Sequence, residues 1–409
     1  FNNSILLGAA GQTTGQAPFD PTLIGNSIWV DGSGTSGDAM TRTWGTESNQ
    51  DRWIWSTWYS PSREIDASGD TNTFFASGSG SNGFYLTHSS SSSQFFIFCR
   101  DNAGNEGAIN TSESYRDLTA WYHVLVDFDS ANAIANDRIS LYVNGVRVGT
   151  YSGTAIGQNN HIAVNVSGQT AHICQDLSTT PNAHMQGYMA QTVFLDNKSI
   201  ANGDLAITDF LDTFTFGTNG SQRIPKSNTD IIALASAAGN NSFCLDYSDS
   251  SNIVNDASSK GNNFTPTGGG SPTITSANQT IHTPSLQFPV LNALNGDATL
   301  VSSLSFGNRL AVGVSDWDSV FATKSMGSSG KYYYEVRMHT ETYGLGYSLY
   351  TTGTAGFYTN GSVTAISGYT SALAAGDIVM MAVDLDNNKL YWGVNGTFFN
   401  SGDPANGTG

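Results

Sequence analysis

Carboxylates and glycines are the residues to test first for chemistry. Glu64-Ile65-Asp66 opens an alternation that would line one strand face with the carboxylates a retaining glycosidase needs, but Ser68 occupies the third place. Only six Glu occur in the chain, so a polysaccharide hydrolase is the least favoured reading and a surface turn after Pro61 the better one. Gly78, Gly80 and Gly83 match a GxGxxG spacing, with Asp101 following. A dinucleotide loop must open a helix whose amides face the pyrophosphate, whereas Phe84-Tyr85-Leu86 reads as a strand, so this is a hairpin loop. Asp384-Leu385-Asp386-Asn387-Asn388 gathers hard oxygen donors, yet an EF-hand loop starting there would put Lys389 at its glycine and Asn395 at its closing glutamate. Asp127, Asp129 and Asp137, and Asp246, Asp249 and Asp256, read as turn formers before calcium ligands. The seven His form no HxH or HxxxH pair, and neither GxSxG nor GxxxxGK occurs. The expectation is a chain with no catalytic residue, no metal and no cofactor.

Aromatic side chains are the remaining binding chemistry. Trp53, Trp55 and Trp58 crowd one strand, where alternation sends the first two to one face and the third to the other. Such density reads as sandwich core rather than a sugar platform. Tyr343, Tyr347, Tyr350 and Tyr358 lie among Gly and Thr and are the expected ligand-contact residues.

The elements that must position these residues are strands. Apolar runs bounded by Gly, Asn, Asp and Ser recur throughout: Arg52 to Tyr59, Gln94 to Arg100, Trp121 to Phe128, Gly187 to Leu195, Lys331 to Met338 and Ile378 to Leu385. Asn144-Gly145 and Asn395-Gly396 each join two such runs, and both residues of that pair accept positive φ, the strongest short hairpin signal. The fold expected is all-β, two jelly-roll-type β-sandwiches in tandem with a loop-rich connection. The boundaries read as an N-terminal docking arm over 1–19, a first sandwich over 20–212, a loop-rich connection over 213–285 and a second sandwich over 286–409.

Composition narrows the partners. Sixteen Lys plus Arg against 33 Asp plus Glu give a formal charge of −17 over 409 residues, which works against a phosphate backbone. No nucleic-acid partner and no membrane insertion are expected, and the short run Ile5 to Ala10 has no basic leader that would read as an export signal. Cys99, Cys174 and Cys244 form no CxxC pair and read as small buried hydrophobes.

Trp121-Tyr122-His123 with Leu141-Tyr142-Val143-Asn144-Gly145 resembles the concanavalin/laminin-G jelly roll. Gly330-Lys331-Tyr332-Tyr333-Tyr334-Glu335-Val336, Gly344-Leu345-Gly346, Gly376-Asp377 and Val383-Asp384-Leu385-Asp386 with Asn395-Gly396 resemble a SPRY domain, one that lacks its usual closing strands beyond the hairpin. Together with Asn3 to Gly11, Gly187-Tyr188-Met189-Ala190 and Phe243 to Asp249, this order is similar to a family of tailed-phage virion proteins. The resemblance implies a non-enzymatic bacteriophage fibre, spike or decoration protein on the virion exterior. It would bind a host-surface glycan or receptor, dock by its N-terminal arm onto other virion proteins of the capsid, tail or fibre, and assemble as a homo-oligomer, threefold by analogy. The alternative is an assembly or decoration protein that binds other virion subunits alone.

Overall fold

The computed structural model describes residues 23–32, 37–61, 71–79, 82–89, 92–117, 120–177, 184–215, 221–267, 274–285, 291–296, 311, 320–322, 330–337, 346–349, 355–358, 374 and 376–408. The chain divides into two units: a larger one over Pro18–Val312 and Ser319–Thr323, and a smaller one whose described residues fall within Lys324–Gly409.

The larger unit begins with β1 (Ser27–Val30), β2 (Ala39–Thr43), β3 (Arg52–Pro61), β4 (Thr71–Ser79), β5 (Asn82–Ser89), β6 (Phe95–Arg100) and β7 (Glu106–Asn110). It continues through β8 (Tyr122–Asp129), β9 (Ile139–Val143), β10 (Val146–Val148), β11 (Thr150–Gly153), β12 (Thr170–Ile173) and β13 (Gly187–Asp196). The hairpin β14 (Leu211–Thr215) and β15 (Ser221–Pro225) precedes helix α1 (Asn228–Ala237). Three short strands, β16 (Phe243–Leu245), β17 (Thr265–Thr267) and β18 (Gln279–Thr280), then complete two large antiparallel sheets. One sheet runs β10-β9-β8-β3-β13-β1-β18, with β16 also on β13. The other runs β11-β7-β6-β5-β4-β12-β2-β17. Below these are the first and second sheets.

Aromatic side chains bridge the two sheets. Trp55 of β3 stacks on Phe75 of β4 with centroids 5.4 Å apart, and Trp53 meets Phe84 of β5 edge-on at 5.7 Å. A register shift after Thr73 lets Phe74 and Phe75 both enter this core. Trp58 points to the opposite face, as alternation requires, and joins a second cluster with Leu125, Leu195, Phe210, Ile231 and Ala235. That second cluster lies under α1 and the β14–β15 segment. Ser227 caps the helix by accepting from Asp230 N at 3.1 Å, and Ile231 and Ala235, four residues apart, are its buried stripe. A bulge at Gln191 fixes the entry, its Nε2 donating to Lys226 O at 3.0 Å and Asn228 Oδ1 at 2.9 Å.

Described residues of the stretch 213–285, expected as a connection, supply strands to both large sheets. β16 pairs with β13, β17 with β2 and β18 with β1. Buried Asp196 accepts from Ser48 N at 2.7 Å, Asn49 N at 3.1 Å, Asn165 Nδ2 at 2.9 Å and Asn241 N at 3.2 Å, so one carboxylate ties this return segment to the sheet ends. Strands of two or three residues set among Asp- and Asn-closed turns carry no periodicity, which is why the composition reads as loop. β19 (Leu291–Gly296) and β20 (Val320–Ala322) also group with the larger unit, past the boundary expected at 286.

The smaller unit holds β21 (Lys331–Arg337), the pair β22 (Gly346–Leu349) and β23 (Ala355–Tyr358), and β24 (Ile378–Asp384), β25 (Lys389–Val394) and β26 (Thr397–Phe398). β21-β24-β25-β26 form one sheet over Val379, Met381, Val383 and Trp392. The two Asn-Gly turns fold alike. Asn144 and Asn395 both sit at φ 50°, followed by Gly145 at 80° and Gly396 at 84°. Asn144 Oδ1 accepts from His123 N at 2.9 Å, and Asn395 Oδ1 from Ile378 N at 2.8 Å, so each turn is pinned to the next strand over.

Candidate functional site

The second sheet turns one face to the core and leaves the other without a covering layer among the described residues. β6 alternates buried and partly exposed from Phe95 to Arg100, with Phe95, Ile97 and Cys99 in the core. Its outward positions are nevertheless aromatic: Phe96 and Phe98, joined by Tyr85 of β5. Tyr85 stacks on Phe98 at 5.0 Å and meets Phe96 at 5.9 Å, and none of the three belongs to a buried cluster. They form a ridge on the open face.

Strand register then defines a groove beside the ridge. Phe96 stands opposite Asn110 and Phe98 opposite Ala108 on β7, while Asn110 and Ala108 in turn face Thr150 and Ser152 on β11. One flank is therefore aromatic, the floor is Ala108 and Asn110, and the far flank is two exposed hydroxyls. On the other side of the ridge Tyr85 and His172 stand in register on either side of Ala76, which is fully buried. At one end Arg100 faces Glu106, its Nη1 lying 3.9 Å from Oε2. Burial raises the Tyr85 hydroxyl above its usual range, with Glu106 and Asp176 adding to the effect. Burial also lowers the His172 imidazole, against the pull of Asp176, so this ring is held toward its neutral form. Such a surface offers ring faces, hydroxyls and an amide.

Two of the four tyrosines singled out from sequence are among the described residues. Tyr347 and Tyr358 lie on the paired strands β22 and β23, Tyr347 opposite Phe357 and Tyr358 opposite Gly346, whereas Tyr343 and Tyr350 lie outside the described residues. Glu64 and Asp66 also fall outside them, as does the arm over 1–19. Trp53 and Trp55 are fully buried, as the core reading requires. Gly78 pairs with Gly83 across the β4–β5 hairpin, so no helix opens after the glycines.

The acidic groups bind backbone. Asp127 takes Ile200 N and Ala201 N, each at 2.9 Å, and Asp249 takes Ser251 N at 2.9 Å in a turn. Asp256 takes Cys244 N at 3.0 Å and Asn262 N at 3.0 Å, and Asp384 pairs with Lys331 at 3.3 Å. Among the described residues no three His, Cys, Asp or Glu gather closely enough to hold a metal ion, and no helix is long and apolar enough to cross a membrane. All three cysteines are free and buried, and burial pushes the Cys99 thiol up to about 12.

Sequence reasoning missed the ridge, although a signal existed. Phe95 to Cys99 is an unbroken apolar run, which reads as a strand buried on both faces; a strand with one open face ordinarily alternates with polar residues. Here the outward positions stay aromatic with no cover among the described residues.

A laminin-G family model, described as the concanavalin A-like lectin/glucanases superfamily, matches residues 33–189. The larger unit contains a concanavalin-like lectin domain. Its matched residues include every strand that builds the groove, from β5 to β11. Among solved structures the chain is similar to the CBM40 domain of the Ruminococcus gnavus IT-sialidase bound to α2,3-sialyllactose, at 11% identity and a TM-score of 0.28 over 40% of this chain and 86% of that one. It is also similar to the LG1-3 region of the laminin α2 chain, at 8% identity and a TM-score of 0.30 over 91% of this chain and 58% of that one. The LG4-5 domains of the mouse laminin α1 chain match at 6% identity and a TM-score of 0.31, over 52% of this chain and 49% of that one. A search of curated proteins finds no significant match.

Proposed function

We propose that this chain is a non-catalytic carbohydrate-binding protein whose larger unit holds a glycan in the groove over β7. The observation that carries the reading is the open aromatic flank of Phe96 and Phe98 facing Thr150, Ser152 and Asn110. Sugar rings present apolar C–H faces that stack on aromatics and hydroxyl edges that exchange hydrogen bonds with side-chain hydroxyls and amides, and this groove supplies one on each side. A sheet face is a rigid base for such contacts.

The setting we propose is the exterior of a tailed-phage virion, as a fibre, spike or decoration protein that attaches to the host surface. It rests on the order of sequence motifs that resembles that family, with the smaller unit as a second display module of SPRY type and the assembled protein a homo-oligomer bound to other virion proteins. Glycan-array and host-cell binding by the full chain tests the reading. Binding by the wild type that is lost in Phe98→Ser supports it. Tight binding to capsid or tail proteins with no glycan or cell binding would replace it with the assembly role.

A further inference from the structure

The groove's charges say which glycans it takes, an inference that rests on the carbohydrate reading above. Its middle carries none: Phe96, Phe98, Ala108, Asn110, Thr150 and Ser152 are all uncharged. The cation at its end, Arg100, already faces Glu106 at 3.9 Å, and across the ridge the field at Tyr85 comes from two carboxylates, Glu106 and Asp176. A sugar carboxylate, sulfate or phosphate entering this groove would leave water for a surface where Arg100, the cation set opposite Glu106 by strand register, is shared with a carboxylate. Such transfer without a partner is costly. The whole chain, at −17, repels a polyanion further.

We infer that the groove selects neutral pyranose chains, sugars bearing hydroxyls and no ionised group, and rejects acidic polysaccharides. Phe96 and Phe98 are two residues apart on one strand, about 7 Å, so they meet adjacent stretches of a single chain running along β7. Thr150 and Ser152 keep the same spacing on the opposite flank. A neutral chain gains stacking on one side and hydroxyl contacts on the other without displacing the Arg100–Glu106 pair.

The test is binding of the full chain to neutral polymers (dextran, laminarin, mannan, galactan) and acidic ones (polysialic acid, polygalacturonate, dextran sulfate), each at low and high salt. Expected is binding to at least one neutral polymer, with affinity changing by less than about twofold with salt, and none to the acidic set. Phe98→Ala should weaken it by about tenfold, and Glu106→Lys, which removes the carboxylate facing Arg100 and adds a second cation, should confer salt-sensitive binding to an acidic polymer. Thr150→Arg, which fills the hydroxyl flank at an exposed position, should also weaken neutral binding. Binding confined to acidic polymers and falling steeply with salt would overturn this inference while leaving the carbohydrate reading in place. Binding to no polymer of either set would overturn both.

Discussion

The two outer faces of the sandwich are built from similar material and end differently. Both carry aromatic residues where a solvent-facing sheet would ordinarily carry polar ones: Trp58 and Tyr188 on the first sheet, Tyr85, Phe96 and Phe98 on the second. The first sheet's face is roofed by α1 and the β14–β15 segment, so β13 is buried at all its positions and β3 at all but Arg52. The second sheet's face has no such roof among the described residues, and β6 alternates. An apolar sheet face is therefore no guide to function by itself. Its meaning depends on whether the chain supplies its own cover, and here one face is core while the other has no cover among the described residues.

That comparison can be broken most severely at the roof. Ile231→Asp places an unpaired charge under α1, at a position 1% exposed, and should destabilise the larger unit by about 4 kcal/mol. Urea unfolding read by tryptophan fluorescence measures it.

Acid should act next. His123 is buried on the first sheet with its Nε2 2.8 Å from Ser56 Oγ, and burial pushes it down to about 3; His88, stacked on Phe95, is pushed down to about 4. Above the ordinary histidine pKa of 6.5 both rings are neutral whether the chain is folded or not, and their contribution is intact. As pH falls from there toward 4, the unfolded chain takes up protons that the folded rings refuse, and stability is lost. Asp127 has the opposite sign: burial pushes its carboxyl up to about 6, so acidification between there and its ordinary 3.8 relieves a buried charge. Two imidazoles against one carboxylate leave a net loss on the order of 3 kcal/mol. Denaturation midpoints across that range should show it, and His123→Gln should flatten the slope.

Smaller effects separate the turns from the groove. Asn144→Ala and Asn395→Ala each put a side chain that resists left-handed backbone at φ 50° and remove the bond to His123 N or Ile378 N, for about 1 kcal/mol in the unit concerned. Calorimetry should find the two losses alike. Phe98→Ser, on the open face, should cost under about 1 kcal/mol.

Legibility followed the same division. The Asn-Gly hairpins were readable because positive φ selects few residue types, and the split of Trp53 and Trp55 from Trp58 because alternation admits one arrangement. The strands that the stretch 213–285 adds to the two large sheets were not readable: β16, β17 and β18 are too short for a period, and Asp196 and Asp256 hold their surroundings by backbone hydrogen bonds that composition does not display. Phe96 and Phe98 were visible only as part of an apolar run, since whether a sheet face is roofed depends on residues such as Ile231, far away in sequence.

The most direct measurement is glycan binding by Phe98→Ser beside the wild-type chain, with urea unfolding confirming that both are folded. The prediction is a neutral glycan bound by the wild type and weakened about tenfold or more in the variant, with stability nearly unchanged. Equal binding by the two folded chains would show that the groove over β7 is not where the glycan sits.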